Sequence, residues 1–250
     1  GKQPIYSDDK KIVIVFNGEI YNYQNLRKKL QTQGVHFNTH SDTEVILRLY
    51  EKEGTTSFKK LDGMYAFSIY DYNKQKVFIA RDFFGEKPLY YTRTSSEFIW
   101  ASELKSLLKL IPIKPSINKK GLNLYFKLTY IPAPFTIYDG IKKLESNHFI
   151  EYDLSSHTFD INRIEEKQSI DKTDTSFEIA KTKVKDLVEK SVISRSISDV
   201  PIGAFLSGGV DSSIVSLCLA RMNDSKINTF SIGFEKKSYD ETDKSKIVAK

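Results

Sequence analysis

The sequence predicts an α+β domain built from many short strands, followed by the opening of a parallel α/β domain. Three observations carry this. Short β-branched and aromatic runs recur through residues 1–154, separated by turn residues. A polar stretch at 165–176 (EEKQSIDKTDTS) then breaks the pattern, with one Ile and no aromatic. Beyond it, helix, strand, glycine loop, helix and strand follow one another, the order of a parallel sheet with crossover helices. The expected boundaries are 1–154 for the first domain, 155–176 for a connecting hairpin and linker, and 177–250 for the start of the second.

Residues 11–16 (KIVIVF) read as a strand that ends in a turn at Asn17-Gly18-Glu19. A helix follows, with Leu26 and Leu30 four apart and Gly34 as its stop. Ser41 and Glu44 have the spacing of a capping box, and Val45, Ile46, Leu49 and Tyr50 then form one helical stripe ending near Gly54. A meander of four strands comes next, at 64–71 (MYAFSIYD), 76–81 (KVFIAR), 88–92 and 98–102. Short helices are expected at 103–109 and 119–127, and a hairpin at 148–154 and 158–164 around Ser155-Ser156-His157. In the second part, 177–197 reads as a long amphipathic helix with Ile179, Val184, Leu187, Val188 and Val192 on one side. Strand 202–206, loop 207–211, helix 212–222 and strand 227–233 complete the chain.

Composition removes several classes of function. The 250 residues hold one cysteine, Cys218, so a framework of intrachain disulfides and a cysteine-built zinc or iron–sulfur site are both excluded. Within Ser216-Leu217-Cys218-Leu219-Ala220 that thiol is expected to be buried and inert. No apolar run approaches the roughly 20 residues that span a bilayer. The start, Gly1-Lys2-Gln3-Pro4, has no signal-peptide pattern, and a reducing cytoplasm is the expected setting. The net charge of +6 comes from 38 basic residues, 31 of them Lys in scattered pairs and only 7 Arg. Nucleic-acid grooves favour Arg, so this pattern reads as a solvated lysine surface. His36, His40, His148 and His157 show no metal-ligand spacing. Arg81-Asp82 is expected as a salt bridge packing a strand end, and Trp100 as core.

The sharpest chemistry lies in Leu206-Ser207-Gly208-Gly209-Val210-Asp211-Ser212-Ser213. An apolar strand ends in two glycines, and a hydroxyl-rich turn opens a helix. Glycines let the backbone approach an anion, and the helix start offers unpaired N–H groups. Ser207, Ser212 and Ser213 add hydroxyl donors, while Asp211 is placed to hold Mg²⁺ against a polyphosphate. Neither a Walker A loop nor the dinucleotide G-x-G-x-x-G is present. The S-G-G-x-D-S pattern resembles the pyrophosphate loop of ATP pyrophosphatases. With 198–203 (SDVPIG), 230–234 (FSIGF) and Tyr239-Asp240-Glu241, it is similar to the synthetase domain of glutamine-hydrolysing asparagine synthetases. The earlier part agrees. Segments 16–22 (FNGEIYN), 41–44 (SDTE), 61–67 (LDGMYAF), 80–85 (ARDFFG), 87–91 (KPLYY) and 101–105 (ASELK) resemble the class II glutamine amidotransferase domain of that family.

The resemblance implies an α+β N-terminal nucleophile (αββα) glutaminase domain, then the start of an α/β ATP-pyrophosphatase domain of the adenine nucleotide alpha hydrolase-like kind. It implies that Asn17 and Gly18 form an oxyanion hole and that Glu19 and Asp42 join them in binding glutamine, the two acids taking its α-amino group. The family's nucleophile is an N-terminal cysteine, expected upstream together with a glutamine-binding arginine. Cys218 cannot replace it, so residues 1–250 alone are not expected to hydrolyse glutamine. For ATP the implied contacts are Phe205, Ser207, Gly208, Gly209, Asp211, Ser212 and Ile232, with Mg²⁺ on Asp211. Phe205 stands where the family often has an aliphatic residue.

The implied reaction joins ammonia from glutamine to β-aspartyl-AMP, giving asparagine, glutamate, AMP and pyrophosphate. The implied partners are L-glutamine, L-aspartate and MgATP, with a homodimer allowed and neither nucleic acid nor membrane involved. Two alternatives stand beside it. One is a related enzyme that amidates another carboxylate, as in cell-surface sugar pathways, or closes a β-lactam; the intact Asn17-Gly18-Glu19 and Asp42 favour a glutamine user over the β-lactam branch. The other is a basic nucleic-acid-binding protein, which would show strongly salt-dependent binding.

Overall fold

The computed structural model describes residues 2–166, 174–198, 200–222 and 226–250. They fall into two units, Gly1–Gln168 and Ser169–Lys250. Along the first run β1 (Ile5–Tyr6), β2 (Ile12–Ile20), α1 (Tyr23–Thr32), α2 (Asp42–Glu53), a 3-10 turn (Gly54–Lys60), β3 (Gly63–Asp71) and β4 (Lys76–Arg81). There follow β5 (Tyr90–Arg93), β6 (Phe98–Ala101), α3 (Leu104–Leu110), α4 (Lys119–Leu128), β7 (Ile141–Lys143), β8 (His148–Asp153) and β9 (Thr158–Arg163).

Strand β3 shows how this unit is layered. Its side chains alternate between two cores, as a period of two requires. Tyr65, Phe67 and Ile69 pack on one side with Leu26 and Leu30 of α1 and with the Val45–Tyr50 stripe of α2. Ala66 and Tyr70 pack on the other side with Leu89, Tyr91 and Leu144. A third core joins Ile99 and Ile141 of β6 and β7 to Leu107 of α3. Three cores make four layers, helix–sheet–sheet–helix, the αββα arrangement expected. The larger sheet has the order β1-β2-β3-β4-β8-β9 and the smaller one β6-β5-β7, with antiparallel neighbours throughout. Phe58 fills the centre of the first core, edge-on to Phe67 at 5.1 Å and Phe149 at 5.4 Å.

Several sequence expectations need correction. The four-strand meander is two hairpins in two different sheets, since β3 and β4 belong to the larger and β5 and β6 to the smaller. Strand β2 does not stop at Phe16; it pairs with β3 through Ile20, so Asn17, Gly18 and Glu19 lie inside a strand. The hairpin strand β9 is the edge of the larger sheet and falls in the first unit, rather than connecting two domains. The linker expected at 165–176 falls largely on 167–173, outside the described residues.

The second unit runs α5 (Phe177–Arg195), β10 (Gly203–Phe205), α6 (Val210–Met222), β11 (Asn228–Phe230) and α7 (Thr242–Val248). Strands β10 and β11 are parallel, with Ala204 opposite Thr229. The two glycines therefore connect a parallel strand to a helix, as the pattern requires. Helix α5 has no buried residue, and Val184 and Leu187 of its apolar stripe are exposed.

Candidate functional site

The first site is built where β2 and β3 are drawn together. A Cβ on Gly18 would stand 2.1 Å from the Met64 carbonyl oxygen, and one on Gly63 would stand 2.2 Å from that of Glu19. Only glycine fits at either place. Asn17, one residue earlier, donates from Nδ2 to the Ser102 hydroxyl just beyond β6, at 3.2 Å. Its neighbours line a cavity of about 270 Å³ between the sheets, which includes Val15, Asn17, Ala66, Leu89, Trp100 and Ser102. Gln3 closes one edge of this space. Its amide exchanges two hydrogen bonds with the Phe16 backbone, at 2.6 and 2.9 Å, in place of a paired strand.

Asp42 reaches the same strand from the helix layer. Its Oδ2 accepts the Ile20 N–H at 3.0 Å, and its Oδ1 accepts the Thr43 N–H at 2.8 Å. The first helical residue of α2 is thereby tied to the position next to Glu19. Asn17, Gly18, Glu19 and Asp42 are brought to one end of β2, although only Asn17 of the four lines the cavity. The capping box is half realised. Ser41 Oγ accepts the Thr43 N–H, while Glu44 reaches the Asn38 N–H and the Thr39 N–H and hydroxyl instead. Burial pushes the Glu44 carboxyl up, but the Thr39 hydroxyl, the two backbone donors and Arg48 outweigh it and hold the carboxyl below its ordinary value. Arg48 is itself buried and also pairs with Asp8 at 2.7 Å and Glu51 at 3.0 Å.

Arg81-Asp82 braces the other side of the site, by a route the sequence did not suggest. The two do not pair. Arg81 donates to the carbonyl oxygens of Gly85, Lys87 and Leu144. Asp82, fully buried, accepts the N–H groups of Tyr65, Phe84, Glu86 and Lys87. Tyr65 is the register partner of Gly18, so this loop fixes β3 opposite the glycine. Trp100 is half-buried against the inter-sheet core.

In the second unit Ser207–Gly209 turns from β10 into α6. Gly208 has φ +80°, and a Cβ there would lie 2.5 Å from Lys244 Cβ and 2.7 Å from the Ser245 nitrogen on α7. Glycine is required on both counts. The Ser207 and Ser212 hydroxyls meet at 3.1 Å, and the Ser212 and Ser213 hydroxyls donate to the Gly209 carbonyl. The first N–H groups of a helix have no partner within it, so the start of α6 faces the turn with donors. A cavity of about 450 Å³ adjoins, lined by Phe205, Leu206, Ser207, Ser212, Phe230 and Ile232 among others. That is an ordinary size for a small-molecule site. Gly208, Gly209 and Asp211 stand beside it in the turn and first helical turn. These residues fit a nucleotide: apolar and aromatic walls for a base, and hydroxyl and backbone donors for phosphates. Asp211 in the first turn of α6 supplies a carboxylate for Mg²⁺, while Glu241 on the cavity wall is paired with Lys244 at 3.0 Å; so few carboxylates suit an ion held mainly by phosphate oxygens and water. No group of three His, Cys, Asp or Glu is gathered for a metal among the described residues.

Sequence reasoning missed Ser102 and Gln3, and it missed Thr242 and Ser245 of α7 on the wall of the second cavity. Cys218 is a free thiol buried on α6. No helix among the described residues is long and apolar enough to cross a membrane.

Comparison with known proteins bears on both units. Residues 183–250 match the asparagine synthase family. Over 260 residues the chain is 44% identical to a putative glutamine-hydrolysing asparagine synthetase 2 of Methanocaldococcus jannaschii, covering 98% of this chain and 48% of that protein. Asparagine synthetase 1 of Bacillus subtilis is 38% identical over 253 residues, 100% of this chain and 39% of that one. The chain thus spans about half, or less, of the curated relatives it matches. A solved glutamine phosphoribosylpyrophosphate amidotransferase from B. subtilis superposes with a TM-score of 0.49 at 17% identity, over 94% of this chain and 49% of that one. Residues 1–162, from the first strand almost to the end of β9, match the family described as the glutamine amidotransferase domain, and the chain belongs to that family.

Proposed function

We propose that the first unit holds glutamine and the oxyanion of its hydrolysis, while the second holds the phosphates of ATP. In the whole protein, ammonia released from glutamine attacks β-aspartyl-AMP made from aspartate and MgATP. The products are asparagine, glutamate, AMP and pyrophosphate. The observation that carries this reading is the bond from the Ile20 N–H to Asp42. It sets a second carboxylate next to Glu19, on the strand that bears Asn17 and Gly18. Two acids suit the cationic α-amino group of glutamine. The Asn17 amide and the Gly18 N–H suit the oxygen that turns anionic when the side-chain amide is attacked.

Each group does one thing. Asp42 and Glu19 orient the amino acid, and Asn17 and Gly18 donate to the developing oxyanion. Hydrolysis also needs a thiolate, and Cys218, buried on α6, cannot supply it. Residues 1–250 by themselves are expected to release no ammonia from glutamine. In the second unit Ser207, Gly208, Gly209 and Ser212 would embrace phosphate oxygens, with Phe205 and Ile232 against the adenosine. Mg²⁺, when bound, offsets phosphate charge, and Asp211 is the residue that would hold it. A cytoplasmic setting suits the lone buried thiol, and a homodimer completes the reading.

The test uses protein made from the full reading frame, supplied with glutamine, MgATP and aspartate. Asparagine and pyrophosphate in equal amounts are expected. Pyrophosphate appearing only with another carboxylic acid would overturn aspartate as the acceptor.

A further inference from the structure

Ser102 is hydrogen-bonded to Asn17, a residue of the proposed chemistry, and its place invites a role. The hydroxyl accepts from Asn17 Nδ2 at 3.2 Å across 85 residues of sequence, and both residues line the same inter-sheet cavity. Asn17 sits on β2 of the larger sheet, while Ser102 follows Ala101, the last residue of β6 in the smaller one. The bond therefore links the two sheets at the point where the oxyanion donor projects.

A carboxamide nitrogen carries two N–H groups in one plane, roughly 120° apart. Fixing one of them on a partner fixes the plane of the amide and the direction of the other. An unanchored asparagine rotates about a broad terminal torsion and points its donor in many directions. We propose that Ser102 is a positioning residue for glutamine hydrolysis. Its hydroxyl holds one Asn17 N–H, so that the second is already aimed at the oxygen that becomes anionic. The backbone supports this. β6 pairs with β5 up to its last residue, Ala101 opposite Tyr90, β5 pairs in turn with β7, and Trp100, two residues before Ser102, is packed against the inter-sheet core. The serine is thus presented from a braced strand end rather than from a free loop.

The inference rests on Asn17 acting as an oxyanion donor, and the experiment separates the two. In full-length protein, removing one such donor commonly costs about 10²–10³-fold in kcat. Ser102→Ala leaves the donor present but unaimed, and a fall of about tenfold in glutaminase kcat is expected, with KM for glutamine within about twofold, against that scale. Ser102→Thr, which keeps the hydroxyl, should restore most of the rate. In an Asn17→Ala background, Ser102→Ala should have no further effect. Synthesis driven by added ammonia serves as the control for folding and should be unchanged in Ser102→Ala. An additive loss in the double variant, or an equal loss with glutamine and with ammonia, would assign Ser102 a structural role only. Wild-type kcat in Ser102→Ala with a damaged Asn17→Ala would overturn the positioning role and leave the donor. Wild-type kcat in Asn17→Ala would overturn the donor itself.

Discussion

The two units carry their sites in contrasting ways. The residues proposed to hold glutamine sit in a four-layered unit, and their strands are tied by side chains from different elements: Asp42 from α2, Ser102 from beyond β6, Asp82 from the end of β4. The glycine loop of the second unit is shaped mainly by its own serines and by the approach of α7. Around it the apolar surface is open. Phe205 is 77% exposed, Ile232 70%, and α5 has no fully buried residue. A site can therefore be specified by a surrounding core, or by turn chemistry with one close approach from a neighbouring helix. The first demands many coincident contacts, whereas the second demands glycine at one place.

This contrast predicts graded effects of substitution. The largest should be Phe58→Ala, which empties the centre of the first core and should cost about 3–5 kcal/mol in denaturant unfolding. A cost under about 1 kcal/mol would mean that the layered unit is not the stable one. Next comes Gly18→Ala, expected to cost about 1–3 kcal/mol through overpacking against Met64 and to impair glutamine hydrolysis in full-length protein.

Glu44→Gln should cost about 1.5–3 kcal/mol at neutral pH, as a buried charged acceptor for three donors is weakened. It also predicts a pH dependence. The folded Glu44 carboxyl is held below its ordinary value, so its contribution is complete above about pH 4.5 and is lost as pH falls through the folded value. Wild-type stability should decline over that acidic window, and Glu44→Gln should decline less steeply; parallel curves would remove Glu44 from the account. The smallest effect belongs to Leu187→Ala on exposed α5, within about 0.5 kcal/mol of wild type in the same unfolding assay.

Much of this was legible in the sequence. The alternation of Tyr65, Phe67 and Ile69 with Ala66 and Tyr70 is a two-residue period that a propensity reading captures, and the four-residue spacing of Leu26 and Leu30 is equally local. The glycine loop was legible because its glycines and hydroxyls are adjacent in sequence, although the approach of α7 to Gly208 was not. What escaped depends on distant pairing. Asn-Gly is a strong turn signal, yet nine register pairs with β3 keep Ile12–Ile20 extended through it. β7 is three residues long and carries no period to detect. Glu44 stood at capping-box spacing, but the loop before the helix offered it better donors. Ser102 lies in a segment already marked by its resemblance, and only the fold brings it to Asn17.

The central claim is that the two units hold separate chemistries, glutamine on the first and ATP on the second. The direct measurement is synthesis by full-length protein with either glutamine or free ammonia as nitrogen source. Asn17→Ala should lower the glutamine-driven rate by about 10²–10³-fold and leave the ammonia-driven rate intact, while Asp211→Ala should lower both. Equal loss of both rates in Asn17→Ala, or a glutamine-driven rate that it leaves unchanged, would contradict the account.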